Sequence, residues 1–494
     1  MAGSNGQQTK NQGSSVKFDR RRFVSASGGW LLLSASLSAR AATVERFPMT
    51  LRELHRQLKA GILTSRQLVE QALARIEDAK GEGARAFIQV HRDQALATAD
   101  RIDGERKRGA SPPALAGIPI SIKDNFDEAG VITRAGSTVL KNAPPAARDA
   151  IAVARLRAAG AVVIGRTNMT EFAYSGLGIN PHYGTPRNAF DRAAARIPGG
   201  SSSGAAVSVC DGMAAAAIGT DTGGSTRIPA ALNGLVGFKP TARRVPLDGV
   251  LPLSLTLDSV GPIARNVADC ALLDQVLSSA PVAELPALTL RGTRLAVPQT
   301  VILDELAPPV AAAFSAACTQ LSAAGAVIVE LPLREFARAA EVNPRGALSS
   351  TEAYWWHRPW IGKAADQYDP RVIARIRPGA AISAAEYIEL LQQRRGFVAD
   401  VESVVRGFDA LLMPTTADPA PTIAEVAASD ESYFRFNGRM LRNPALVNLF
   451  DGCALSIPCH RLGEAPVGLM LAGLQGQDGH VLSVGLAIEK LLSS

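Results

Sequence analysis

Sulfur, imidazole and aromatic rings are scarce in this chain of 494 residues, which holds five cysteines, six histidines and only 5% Phe, Trp and Tyr. Cys210, Cys270, Cys318, Cys453 and Cys459 are odd in number and include no C-x-x-C, which argues for buried free thiols over a disulfide framework. His55, His91, His182, His357, His460 and His480 form no H-E-x-x-H and no paired ligand spacing, so no zinc site is expected. The apolar stretch at residues 27–37 is too short and too rich in serine to span a bilayer. The formal charge of +7 is unevenly placed: residues 1–41 hold Lys10, Lys17, Arg20, Arg21, Arg22 and Arg40 against Asp19 alone. The rest is close to neutral and has no basic run interleaved with aromatics, which excludes nucleic acid as the expected partner.

What is present fits a folded globular protein: 47% hydrophobic and 20% charged residues, with glycine and proline spread along the chain. The N-terminal "DRRRFVSASGGWLLLSASLSARAA" places Arg20 and Arg21 shortly before Phe23, then a short apolar stretch, then small residues. It resembles a bacterial twin-arginine export signal, cleaved after about Ala41. That resemblance implies a folded precursor, a mature domain of residues 42–494, a periplasmic location and no stable membrane insertion after cleavage.

Residues 48–109 carry helical spacing, as in "TSRQLVEQALARIEDA" with a Thr64/Ser65 start and apolar Leu68, Ala72, Leu73 and Ile76, and a further helix is expected over 92–108. "GIPISIKDN" then reads as a strand that ends at Lys123. "DAIAVARLRAAGAVVIGRTN" reads as helix, Gly160 and a buried strand at 161–165, and "SSGAAVSVCDGMAAAAIGTD" repeats that plan. Residues 280–405 read as Ala-rich helices around the aromatic "TEAYWWHRPW", and strand-like runs return in "FDALLMP" and "VGLMLAG". The fold class expected is α/β: one large domain with a mixed, largely parallel, twisted sheet covered by helices on both faces.

Two Gly/Ser knots, "RIPGGSSSGAAVSV" at 196–209 and "IGTDTGGSTRIPAA" at 218–231, both open onto apolar runs. Hydrolysis of a stable carbonyl bond needs a nucleophile, a base and donors for the oxyanion. The backbone amides of Thr222, Gly223, Gly224 and Ser225 can point into one hollow because Gly-Gly removes side chains there. An α/β sheet places ligands beyond the carboxyl ends of its strands, where Lys123 and the second knot fall. Two other serine motifs are present. Residues 200–204 satisfy G-x-S-x-G, which would make Ser202 the nucleophile, but Pro198 stands where a strand is needed and no histidine has a triad context. Ser14 and Lys17 satisfy S-x-x-K inside the export segment without its companion motifs.

"GIPISIKDNFD", "GRTNMTEFA", "HYGTPRN", "IPGGSSSGAA", "GTDTGGSTRIPAALNGLVGFKPT" and "TLDSVGPIARNVAD" follow in order, with "LSIPC" and "APVGLMLAG" near the end. In these stretches the chain resembles the amidase signature hydrolases over nearly everything after residue 48. The resemblance implies that Ser225 is the acyl-forming nucleophile, Ser201 a bridging serine held by a cis peptide, Lys123 the general base and residues 222–225 the oxyanion amides. Ser202, Arg227 and Asp221 would orient that network. Ser203 departs from the glycine that many members carry. It further implies a small-molecule amide substrate, no metal, no cofactor and a possible homodimer. Burial would have to depress Lys123 from its ordinary value near 10.4 for it to act as a base. Met169, Phe172 and Tyr174, with the aromatic group at 354–360, are expected to line an apolar acyl pocket, the alternative being that the aromatic group is core. Two alternatives remain open at this point: a glutaminase-type subunit of a tRNA-dependent amidotransferase, and a non-catalytic periplasmic binding protein on the same scaffold.

Overall fold

Thr64 and Gln67 close a capping box at the head of the helix Ser65–Glu77, and Leu68, Val69, Ala72, Leu73 and Ile76 turn its apolar face inward. That helix packs beside Arg92–Lys107 against the edge of a sheet. The computed structural model describes residues 49–493, all within one compact unit. The expected export segment and its cleavage site lie outside the described residues.

The sheet has eleven strands: β1 Phe87–Val90, β2 Pro119–Lys123, β3 Val162–Thr167, β4 Ala216–Asp221, β5 Val236–Lys239, β6 Ser259–Ala264, β7 Arg294–Pro298, β8 Val327–Leu331, β9 Ala410–Pro414, β10 Cys453–Pro458 and β11 Gly468–Gly473. Their order is β1-β3-β2-β4-β6-β5-β10-β11-β9-β7-β8. The sheet is mixed. Parallel pairing occurs in two blocks, β3-β2-β4 and β9-β7-β8, with antiparallel pairs elsewhere. β2, β3 and β4 are buried along their whole length, as strands covered on both faces must be.

The step from β2 through the helix Ile151–Ala158 to β3 goes to one side of β2, and the step through Ser203–Cys210 to β4 goes to the other. This reversal brings Lys123, Thr167 and Asp221, the last residues of the three parallel strands, to one edge where a crevice opens. Cys210, Cys270 and Cys453 are buried free thiols, and Cys318 and Cys459 are half-buried free thiols.

The expectation of helices throughout 280–405 is corrected by β7 and β8, five-residue strands set between Ala-rich helices. β1 likewise interrupts the helical region 48–109 as a four-residue edge strand antiparallel to β3. Runs this short carry too few residues for either period to register.

Candidate active site

Lys123 closes β2 with its side chain fully buried. Its Nζ donates to Ser201 Oγ at 2.7 Å and to Thr220 Oγ1 at 2.8 Å, and reaches the Thr220 carbonyl at 3.4 Å. Asn125 Nδ2 donates to the same Thr220 hydroxyl at 3.1 Å. No carboxylate among the described residues lies within ion-pair distance of this amine. Burial lowers its pKa to about 7, although the charges of Asp258 and Asp221 pull the other way.

The first knot holds Ser201 through backbone contacts. The Gly200-Ser201 peptide is cis, the Gly200 N–H donates to the Gly176 carbonyl, and the Ser201 carbonyl accepts from Thr170 N at 3.0 Å. A Cβ at Gly200 would stand 2.5 Å from Gly178 N and 2.8 Å from Thr170 Oγ1, so only glycine fits. Ser202 precedes the helix Ser203–Cys210, donating its hydroxyl toward the Thr220 carbonyl at 3.4 Å and its amide to the Ser225 carbonyl at 3.3 Å. Ser203 Oγ approaches the Asn168 carbonyl at 3.4 Å. No histidine bonds to Ser202 among the described residues, so the elbow motif at 200–204 has no triad behind it.

The second knot is pegged by Asp221, the fully buried last residue of β4. Its carboxylate accepts from Gly224 N at 2.8 Å, Thr226 N at 3.1 Å, Arg227 Nη2 at 2.8 Å and Nε at 3.1 Å, and Asn448 Nδ2 at 3.0 Å. Burial alone would raise this acid, but the Arg227 guanidinium and these hydrogen bonds hold it well below the usual carboxylate range. The Gly224 amide is thus committed to Asp221. Of the four residues whose amides the sequence assigned to an oxyanion hollow, Thr222, Gly223 and Ser225 line the cleft. Gly224 sits at φ +130°, and a Cβ there would meet Pro444 Cβ at 2.6 Å. The Ser225 hydroxyl makes no hydrogen bond among the described residues and lies at the floor of the cleft.

Asp258 was not singled out from the sequence, although it stands in the quoted "TLDSVGP". It accepts from the Thr222 hydroxyl and from the amides of Leu253 at 2.9 Å and Ser254 at 3.1 Å, so it ties the second knot to the 253–254 strap. Burial pushes it up to about 6, against those hydrogen bonds. Thr220 and Asn125, inside quoted motifs, and Asn448, outside them, were missed too, because the role of each is set by a contact far away in sequence.

The cleft above Ser225 measures about 340 Å³. Tyr174 lines it, but Met169 and Phe172 do not, which corrects the expected acyl pocket. Phe172 lies in a buried cluster, with its ring centroid 4.3 Å from that of His357, 5.3 Å from Tyr368 and 6.0 Å from Trp356. Trp356 and Trp360, one turn apart on the helix Ala347–Ala364, pack on that same cluster, whereas Trp355 on the opposite face is 52% exposed. Trp355 apart, the aromatic group packs on this buried cluster, and none of it lines the cleft.

Comparison with known proteins agrees with this architecture. The family model "Amidase" matches residues 67–482. The 2-amino-5-chloromuconic acid deaminase of Comamonas testosteroni is 36% identical over 81% of this chain and 87% of its own length. A glutamyl-tRNA(Gln) amidotransferase subunit of Symbiobacterium thermophilum is 35% identical over 89% of this chain and 96% of its own. The mandelamide hydrolase of Pseudomonas putida is 35% identical over 90% and 91%. A crystal structure of an amidase superposes with a TM-score of 0.80 at 33% identity, covering 90% of this chain and 99% of that one.

Proposed function

The chain belongs to the amidase family, and from that premise we propose that it hydrolyses a small carboxamide to a carboxylate and ammonia or an amine through an acyl-enzyme on Ser225. The observation that carries this reading is Lys123: a fully buried amine, lowered to about 7, that sits 2.7 Å from Ser201 on the strand end beside the loop holding Ser225. In its neutral form this amine can accept a proton from the Ser201 hydroxyl, which in turn accepts one from Ser225. That second transfer requires the two hydroxyls to close to hydrogen-bond distance when substrate binds.

Ser225 Oγ then bonds to the amide carbon, and the carbonyl oxygen takes the negative charge facing the amides of Thr222, Gly223 and Ser225. As the C–N bond breaks, the proton held on Lys123 returns through Ser201 to the leaving nitrogen, which departs as neutral ammonia or amine. Water repeats the sequence on the ester, releasing the carboxylate and the free serine. Asp221 and Arg227 hold the loop in shape, and Ser202 ties the two knots together.

The glutaminase alternative is favoured by one observation, the likeness to the glutamyl-tRNA(Gln) amidotransferase chain. The mandelamide hydrolase likeness supports hydrolysis of a small amide. Ammonia release from glutamine that appears only with added partner proteins would decide for the former. Export to the periplasm is part of the proposal, resting on the Arg20 and Arg21 motif alone, and cell fractionation tests it. A fluorophosphonate probe is expected to label the wild-type protein at Ser225 and to fail on Ser225→Ala. An unlabelled wild type would favour a binding protein.

A further inference from the structure

Three arginines, Arg345, Arg375 and Arg442, line the cleft that contains Ser225, and no aspartate or glutamate among the described residues lines it. Their neighbours make the pattern legible. Arg371, one turn before Arg375 on the helix Pro370–Ile376, pairs with Asp430 at 2.8 Å. Arg439, three residues before Arg442 on the helix Asp430–Leu449, pairs with Asp418 and Glu305. The arginines next along, turned to the cleft, have no carboxylate within ion-pair distance among the described residues, and neither has Arg345.

Each of the three is held differently. Arg442 donates to the carbonyls of Asp304 and Ile302 and to Asn443 Oδ1, so it is pinned in place and contributes charge. Half-buried Arg375 donates Nη1 to the Tyr174 carbonyl and lies over the Tyr174 ring, 4.4 Å from its centroid. Its Nε and Nη2 have no partner among the described residues. Exposed Arg345 makes no hydrogen bond among them and stands at φ +52°, at the cleft rim.

A guanidinium stays charged at any working pH, and a partly buried one is ordinarily given a counter-ion. A cleft that concentrates three of them, supplies no acid and leaves one fork open is built for a planar anion brought from outside. The leucines that also line it, Leu253, Leu257, Leu441, Leu446 and Leu449, suit a short methylene chain between that anion and the reacting amide.

We infer that the substrate is an amide whose acyl half ends in a carboxylate, so that Arg375, supported by Arg345 and Arg442, holds the far end while Ser225 attacks the near one. The inference rests on the amidase reading. Water adds across the C–N bond, so a half-amide becomes a dicarboxylate plus ammonia, and the dicarboxylate product should compete with substrate for the same arginines.

The test uses matched amides: succinamate and glutaramate, their neutral isosteres 4-methylpentanamide and 5-methylhexanamide, and cationic 4-aminobutanamide. The expected result is a kcat/KM for the better acid at least tenfold above its isostere, with the cation poorest. In Arg375→Gln the acid-to-neutral ratio should fall at least tenfold, and Arg375→Lys should restore part of it. Calorimetric binding of succinate or glutarate to Ser225→Ala provides a readout that needs no turnover, and the heat should vanish when Arg375→Gln is added. Equal or faster hydrolysis of the neutral amides, or no dicarboxylate binding, overturns the inference while leaving fluorophosphonate labelling of Ser225 intact. Dicarboxylate binding without labelling or turnover would instead remove the amidase reading and keep the anion site.

Discussion

The floor and the wall of the cleft are made in different ways. The floor comes from strand ends and the two knots that follow them: Lys123, Ser201 and the 221–227 loop lie within about a hundred residues of sequence and are fixed by strand pairing and by buried hydrogen bonds to one another. The wall comes mostly from helices and loops between 339 and 449, with 173–175, Leu253 and Leu257, and its charged side chains reach the cleft from Arg345, Arg375 and Arg442 on separate elements. The difference teaches that chemistry common to every substrate can sit in short rigid motifs, whereas selection among substrates is left to side chains on elements free to vary. Floor substitutions should therefore depress all amides together, and wall substitutions should change their order.

The largest effect is expected at the floor. Ser225→Ala should reduce kcat on every amide by a factor on the order of 10⁴ or more, as loss of a serine nucleophile does elsewhere. Lys123→Met, of similar volume, should do nearly the same, whereas Ser202→Ala should lose far less. Steady-state kinetics on three unlike amides checks this, and a Ser225→Ala enzyme that keeps one substrate would break the comparison.

Gly224→Ala is the next in size. The added Cβ collides with Pro444 and the residue must hold φ +130°, so a loss of about 2–4 kcal/mol is expected by thermal or denaturant unfolding. Any folded fraction should show kcat lowered alike for acid and neutral amides, because the neighbouring amides of Gly223 and Ser225 shift with it.

The pH profile sharpens the floor further. Lys123 is depressed by burial and acts only when neutral, so kcat/KM should rise with pH through about 7 and level off above it. The negative charge of Asp258 raises the lysine, so Asp258→Asn should move that rising limb to lower pH while lowering the plateau through the lost Thr222 tether. A limb that moves upward contradicts the assigned sign.

The smallest effect on chemistry belongs to the core behind the wall. Phe172→Leu should lower stability by about 1–3 kcal/mol, because the buried ring packs against His357 and Tyr368. The ranking of amides should stay as in the wild type, measured on the same panel. A changed ranking would return Phe172 to the acyl pocket from which the geometry removes it.

How much could be read beforehand follows the same division. The β2, β3 and β4 core was legible because buried parallel strands leave continuous apolar runs between helices. The two Gly/Ser knots and the strand end at Lys123 were also legible, but the roles of Lys123, Ser201 and Ser225 come from the resemblance to the amidase signature hydrolases. Asp258, Thr220 and Asn448 escaped because each acts by a contact to a residue distant in the chain. β7 and β8 escaped as five-residue strands among alanines. Phe172 and the 354–360 aromatics were assigned to the cleft on composition, yet the spacing of Trp356 and Trp360 by four residues already marks one buried helix face.

Acid-quenched peptide mass spectrometry during turnover of an activated ester, p-nitrophenyl acetate, tests the nucleophile directly. The peptide carrying Ser225 should gain one acetyl group within the burst and lose it as substrate is exhausted. Acetyl on Ser202 or Lys123 instead, or continued turnover with Ser225 unmodified at every time point, would contradict the account.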